Sequence, residues 1–199
     1  MDPRQRRTRA SLRAAILELA GQRPVGELTV AEVARAAGVT RDTFYRHTTS
    51  PTELLAGVLE EELRRIEPPQ HGEPDEFVRA ETQLLHHVVD HRAIYRAALV
   101  DGADGRLREV LHTVIAARLD EYLRANPQAA PAIPGGLPAT DARAVLVAYS
   151  AAGTVGAISA WLRADGDRAD IPALARTIVA GGPPAWYEPP APTGQGAHP

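Results

Sequence analysis

The sequence predicts an all-α fold of about nine helices, on three observations. Apolar residues recur at spacings of three and four along most of the chain. No segment alternates apolar and polar residues convincingly enough for a strand. Capping residues, glycines and prolines fall where the periodic stretches begin and end, as helix boundaries require.

The composition sets the frame. A chain of 199 residues, 44% hydrophobic and 24% charged, suits one or two domains with a sizeable core. Cysteine is absent, which excludes disulfides, thiolate metal sites and cysteine nucleophiles. The start, MDPRQRRTR, has no apolar run behind it, so no secretory signal is expected and a cytoplasmic protein is. Charge is uneven. Residues 1–50 hold nine arginines against five acids, and residues 51–199 hold thirteen against twenty. A basic head on an acidic body points the head at a polyanion.

The elements follow in order. Arg4–Arg9 reads as a basic arm, and Leu12, Ala15, Ile16, Leu19 and Ala20 mark one face of a helix from Ala10 to Ala20. Pro24 and Gly26 lie in a connector. Thr29 and Glu32 form a capping box that starts a helix at Val30. Val33, Ala34 and Ala37 face inward, and Gly38 closes the helix because glycine takes left-handed backbone at low cost. Val39 plugs the turn, and Thr40 caps a further helix from Arg41 to about His47.

Ser50-Pro51-Thr52-Glu53 reads as a second capping box with proline at the first helical position. The long helix behind it reaches Ile66, with Glu60–Glu62 mostly a solvated face. Helices are then expected over Asp75–His91, Ala93–Val100 and Arg106–Ala125. Residues 127–138 are a loop rich in proline and alanine. A helix capped by Thr140 or Asp141 runs to Arg163, and a last one covers Asp170–Ala180. The end, residues 182–199, is dense in proline and glycine and reads as a disordered tail.

Thr29–Thr48 is thus two short helices joined by a glycine turn, a helix-turn-helix. On a wheel of about 100° per residue, Phe44 and Thr48 face the core. Asp42, Thr43 and Arg46 lie opposite, flanked by Tyr45 and His47. A recognition helix buries one side and offers hydrogen-bonding groups to the major groove on the other. Arg46 suits guanine O6 and N7, Thr43 a thymine methyl or a phosphate, and Asp42 cytosine N4. Tyr45 and His47 suit phosphates. The candidate DNA-binding residues are Thr29, Thr40, Arg41, Asp42, Thr43, Tyr45, Arg46 and His47.

The stretch LTVAEVARAAGVTRDTFYRHTTSPTELL resembles the signature of the TetR/AcrR family of transcriptional regulators. The resemblance rests on the threonine before the second helix, AAGV in the turn, Thr43-Phe44-Tyr45-Arg46-His47 and the serine-capped helix with Glu53-Leu54-Leu55. It covers about residues 8–60. It implies an N-terminal three-helix DNA-binding domain (residues 1–50) and a helical effector-binding and dimerisation domain (residues 51–181). It also implies a homodimer on double-stranded operator DNA and a cavity for a small-molecule effector. The chain departs from the family at Thr48, where an aromatic is usual, and at Pro51, where a lysine is usual.

Ala144–Leu162 is nineteen residues without a charge, long enough to span a bilayer. It is weakly apolar and flanked by acids, so a helix buried on most sides is the expectation, with no membrane partner. Ala148, Ala152, Gly156 and Ala160 form a small-residue ridge at spacing four, which suits close packing of helices across a two-fold dimer interface. Candidate pocket residues are Leu84, His87, Val88, His91, Tyr95, Leu111, Ile115, Tyr122, Tyr149 and Trp161, mainly apolar with a few polar groups. His87 and His91 are four apart on one helical face, but no carboxylate stands at clear ligand spacing, so no metal and no cofactor are expected. No nucleophile–base pair, phosphate-binding glycine loop or paired-carboxylate motif is recognisable, so the chain reads as a non-enzyme. The function expected is a ligand-released repressor; the alternative is an effector-independent DNA-binding activator or architectural protein.

Overall fold

Helices α1 (Pro3–Ala20), α2 (Val30–Ala36) and α3 (Arg41–Tyr45) form the head, and α4 (Pro51–Leu63) leads out of it. The body holds α5 (Pro74–Asp90), α6 (Arg92–Leu99), α7 (Gly105–Ala125), α8 (Ala139–Arg163) and α9 (Ile171–Ala180). Short 3-10 turns cover Val25–Glu27 and Arg168–Asp170. This computed structural model describes residues 3–69, 74–127 and 136–183. Among them there is no strand, and the fold is all-α.

One apolar core runs through head and body. Leu12 and Ile16 of α1, Val33 of α2 and Phe44 of α3 meet Leu55 and Leu59 of α4, and the cluster continues through Leu85, Leu111 and Ile158 into Ile171 and Ala175. The boundary expected at residue 50 falls on Ser50, the N-cap of α4. Since α4 packs on α1 and on α7, the core does not stop there. The tail expected over 182–199 and the loop over 127–138 lie largely outside the described residues.

Several local expectations are corrected. The basic arm is the first turns of α1, which begins at Pro3. Proline is well placed at a helix start, and arginine and glutamine are good helix formers. The second capping box is half formed. Ser50 Oγ accepts from the Glu53 amide at 3.1 Å, but the Glu53 carboxylate reaches across to Arg106 of α7 at 3.1 Å. Helix α8 starts one residue before Thr140 with Pro138 at its N-cap, and no side chain caps it. At its other end, Arg96 of α6 donates to the Leu162 carbonyl at 2.8 Å and pairs with Asp165 at 2.6 Å. A cation thus sits where the helix dipole is negative.

Helix α8 also differs from the expectation of burial on most sides. It buries Val147, Ala151, Val155, Ile158 and Leu162, whereas Ala148, Ala152, Gly156 and Ala160 all lie exposed. It is long and apolar enough to cross a membrane by length and composition alone, with a mean hydropathy of 1.6. Its inner face packs on α7, the arrangement of a core helix with one open side.

Candidate functional site

The head is built from short-range contacts. Thr29 Oγ1 accepts from the Glu32 amide at 3.3 Å, and the Glu32 carboxylate accepts from the Thr29 amide at 2.9 Å and its hydroxyl at 2.7 Å. Arg23 adds an ion pair at 2.5 Å. These bonds, those of Thr29 first, hold the Glu32 carboxyl down at about 2, since each favours its charged form. Gly38 turns the chain with φ +66°, a conformation glycine takes without strain. Thr40 then caps α3 through the Thr43 amide at 3.1 Å.

Phe44 anchors α3. Its side chain is fully buried, and its ring meets that of Tyr45 edge-on at 5.8 Å. That single anchor turns the rest of the helix outward. Thr29, Thr40, Arg41, Asp42, Tyr45, Arg46 and His47 are exposed, and Thr43 is half-buried. Arg46 and Asp42 pair with each other at 2.7 Å, and the guanidinium lies 3.4 Å from Thr43 Oγ1. The outer face of α3 therefore carries a preformed Asp42–Arg46–Thr43 group. Thr48, in the position of a usual aromatic, is half-buried and donates to the Ser50 carbonyl at 3.3 Å. Pro51 is buried at the first position of α4.

Residues 12–58 match the model of bacterial regulatory proteins of the tetR family, the stretch that holds the capped turn and the outward α3. Those residues form a helix-turn-helix head similar to that of the tetR family. The fold of the whole chain is likewise TetR-like. A tetR-family transcriptional regulator from Streptomyces coelicolor is 19% identical with a TM-score of 0.61, covering 90% of this chain and 81% of that one. The dihydroxyacetone kinase operon activator DhaS is 13% identical with a TM-score of 0.60, covering 87% and 95%. NalD, the secondary repressor of the MexAB-OprM multidrug efflux pump in Pseudomonas aeruginosa, is 20% identical with a TM-score of 0.53, covering 90% and 98%. No curated protein is significantly similar to the chain in sequence. The structural likenesses span an activator and a repressor, so this fold does not by itself dictate the sign of regulation.

Two sets of polar contacts among the described residues join the helix-turn-helix head and α4 to the body. Arg106 of α7 holds Glu53 of α4. Closer to the far end of α4, Glu62 accepts from Arg13 of α1 and from His91, the N-cap of α6, at 2.6 Å, with His87 of α5 at 3.4 Å. His87 also bonds the buried Tyr95 hydroxyl at 2.8 Å. The expectation of a solvated Glu60–Glu62 face fails at Glu62, because α1 and α5 close over it. The structure thus supplies the carboxylate that sequence spacing did not show beside His87 and His91. The three ligand-type atoms lie within 4.8 Å of one another, a spacing a metal ion can bridge, but Arg13 already neutralises the carboxylate. Burial pushes the His87 imidazole down to about 4, with the neighbouring His91 acting in the same direction.

A cavity of about 330 Å³ lies between α5, α7, α8 and α9, bordered by Leu63 at the end of α4 and by Pro68 and Pro69. Of the ten residues proposed for a pocket, Leu84, Ile115, Tyr122 and Tyr149 line it. The other six do not. Val88, Tyr95 and Leu111 are spent on the core and Trp161 packs against Arg92 at 5.9 Å, while His87 and His91 turn to Glu62. Sequence reasoning missed Phe77, Glu81 and Arg118 on the cavity wall. For Glu81 a signal existed: it lies four residues after Phe77 and three before Leu84, on their side of α5, where a carboxylate is out of place.

Proposed function

We propose that the protein is a dimeric, operator-binding transcriptional regulator of the TetR type, and a repressor that a small, mostly apolar effector releases. The observation that carries the reading is the outward face of α3, held by buried Phe44 in a head that matches the tetR-family model. Thr29, Thr40, Arg41 and Thr43 would meet the backbone and the groove edge. Arg46 would read a base, while Tyr45 and His47 would hold phosphates. Such a protein works on DNA in the cytoplasm.

Residues 1–50 act here as the reading unit and residues 51–181 as the unit that senses and dimerises. The exposed ridge of Ala148, Ala152, Gly156 and Ala160 supports a two-fold helix interface, since small residues let backbones approach closely. The cavity supports the effector role. Leu63 of α4 borders it, and Arg118 on its wall donates to the Arg64 carbonyl at the end of α4 at 3.3 Å. A molecule in the cavity would therefore press on the helix that carries the head, altering the spacing of two heads in a dimer.

The test is selection of bound DNA by the purified protein, then a salt-controlled gel shift on the recovered site. A two-fold site is expected, and Arg46→Ala should weaken binding by ~1–3 kcal/mol. A monomer in sedimentation at micromolar concentration, or unchanged affinity for Arg46→Ala, overturns the corresponding part. Titrating small molecules into the complex distinguishes effector release from the alternative, an activator or architectural protein that needs none.

A further inference from the structure

The cavity wall carries polar groups that the protein leaves unsatisfied. Glu81 Oε1 and Tyr122 Oη are both buried without a hydrogen-bond partner, and both residues line the cavity. They face it from different helices, α5 and α7. Buried polar atoms almost always find partners, so two unpaired atoms on one cavity wall are places where a bound polar group could pair. Burial is the cause that drives the Glu81 carboxyl up, to about 8; no cation offsets it. The surroundings are aromatic. The Phe77 and Tyr122 rings meet edge-to-face at 4.9 Å, and Tyr149 joins them on the wall. A buried carboxyl among aromatic faces attracts a positive charge twice, by ion pairing and by the ring quadrupoles.

We propose that the cavity takes a small apolar molecule bearing an amine, whose ammonium pairs with Glu81 and sits against Phe77 and Tyr122. This rests on the effector reading above and names its chemical class. The competing group is Arg118, which would favour a carboxylate. Arg118 already donates to the Arg64 carbonyl, whereas Glu81 Oε1 is buried with no partner. On binding, the Glu81 proton leaves to solvent and the carboxylate keeps the ammonium.

Calorimetric titration of the full chain, without DNA, tests this with three probes of one shape: phenylbutylamine, phenylbutanol and phenylbutyrate. The amine should bind about tenfold or more tighter than the alcohol and the acid, as a charge-assisted contact allows. Glu81→Gln should erase that preference and leave the alcohol within about twofold. Because this change removes an unpaired buried acid, the variant should fold, which circular dichroism verifies. Equal or tighter binding of the alcohol or acid overturns the proposal, as does an amine preference that survives Glu81→Gln, or no binding of any probe. If the amine binds but leaves operator DNA in place, the amine site stands and the effector role falls.

Discussion

Helix α3 and the cavity treat polar side chains in opposite ways. On the head, each polar group that shapes the site has a partner three or four residues away: Thr29 with Glu32, Thr40 with Thr43, Asp42 with Arg46. On the cavity, Glu81 and Tyr122 keep buried atoms with no partner. The head is exposed and rigidly prearranged, so water or phosphate oxygens can exchange onto it at low cost. The cavity keeps Glu81 Oε1 and Tyr122 Oη buried and unpaired, so the proposed ammonium would supply a missing partner.

The largest test of the head is Phe44→Ala. It removes the one fully buried side chain of α3 and should cost ~3–5 kcal/mol, read as a fall in the urea midpoint and loss of DNA binding together. If stability falls by less than ~1 kcal/mol, the anchoring role of Phe44 is wrong. In the body, Gly166→Ala comes next. A Cβ there would sit 1.8 Å from Trp161 Nε1, and a rigid indole in a packed wall has little room to yield. A loss of ~1–3 kcal/mol in thermal unfolding is expected.

The pH dependence of stability sharpens the contrast between buried groups with and without partners. The folded His87 titrates near 4, below its unfolded value, so the unfolded chain holds more protons between about 4 and 6.5. Its contribution is therefore present above that window and lost as pH falls through it, up to ~3 kcal/mol. Glu81 runs the other way. Its folded value near 8 lies above the unfolded one, so stability falls as pH rises. Between about 6.5 and 8 only Glu81 of this pair still titrates, and a loss of ~2 kcal/mol is expected there. Glu81→Gln should flatten that fall and uncover a rise between about 4.5 and 6.5, where the two groups otherwise offset each other, and His87→Asn should turn that interval into a fall, in denaturation midpoints measured across the range. The smallest effect is Glu53→Ala, which breaks the exposed link to Arg106 and should cost ~0.2–1 kcal/mol, while leaving the Ser50 cap intact.

Much of the head was legible in the sequence because its determinants are local. The Thr29–Glu32 box, the left-handed Gly38, the Thr40 cap and the inward Phe44 all act within one or two helical turns, and each is where the spacing put it. The body was legible as helices but not as a site. Four of ten expected pocket residues line the cavity, because a stripe of apolar spacing marks the inner face of a helix without saying whether core or void lies beyond it. Val88 and Leu84 share a face of α5, yet one is fully buried in core and the other borders the cavity.

Sequence alone thus determined the helices, the caps of the helix-turn-helix and the outward set of residues on α3, since hydrogen bonds and periodicity over three or four residues need no knowledge of the fold. Only tertiary structure decided which side chains meet across helices. It drew Glu53 away from its own cap to Arg106 and seated Glu62 between Arg13 and His91. It also left the small-residue ridge of α8 in the open and buried Glu81 Oε1 without a partner. Those outcomes depend on packing between segments distant in sequence, where a carboxylate's surroundings are set by the helices that happen to close over it.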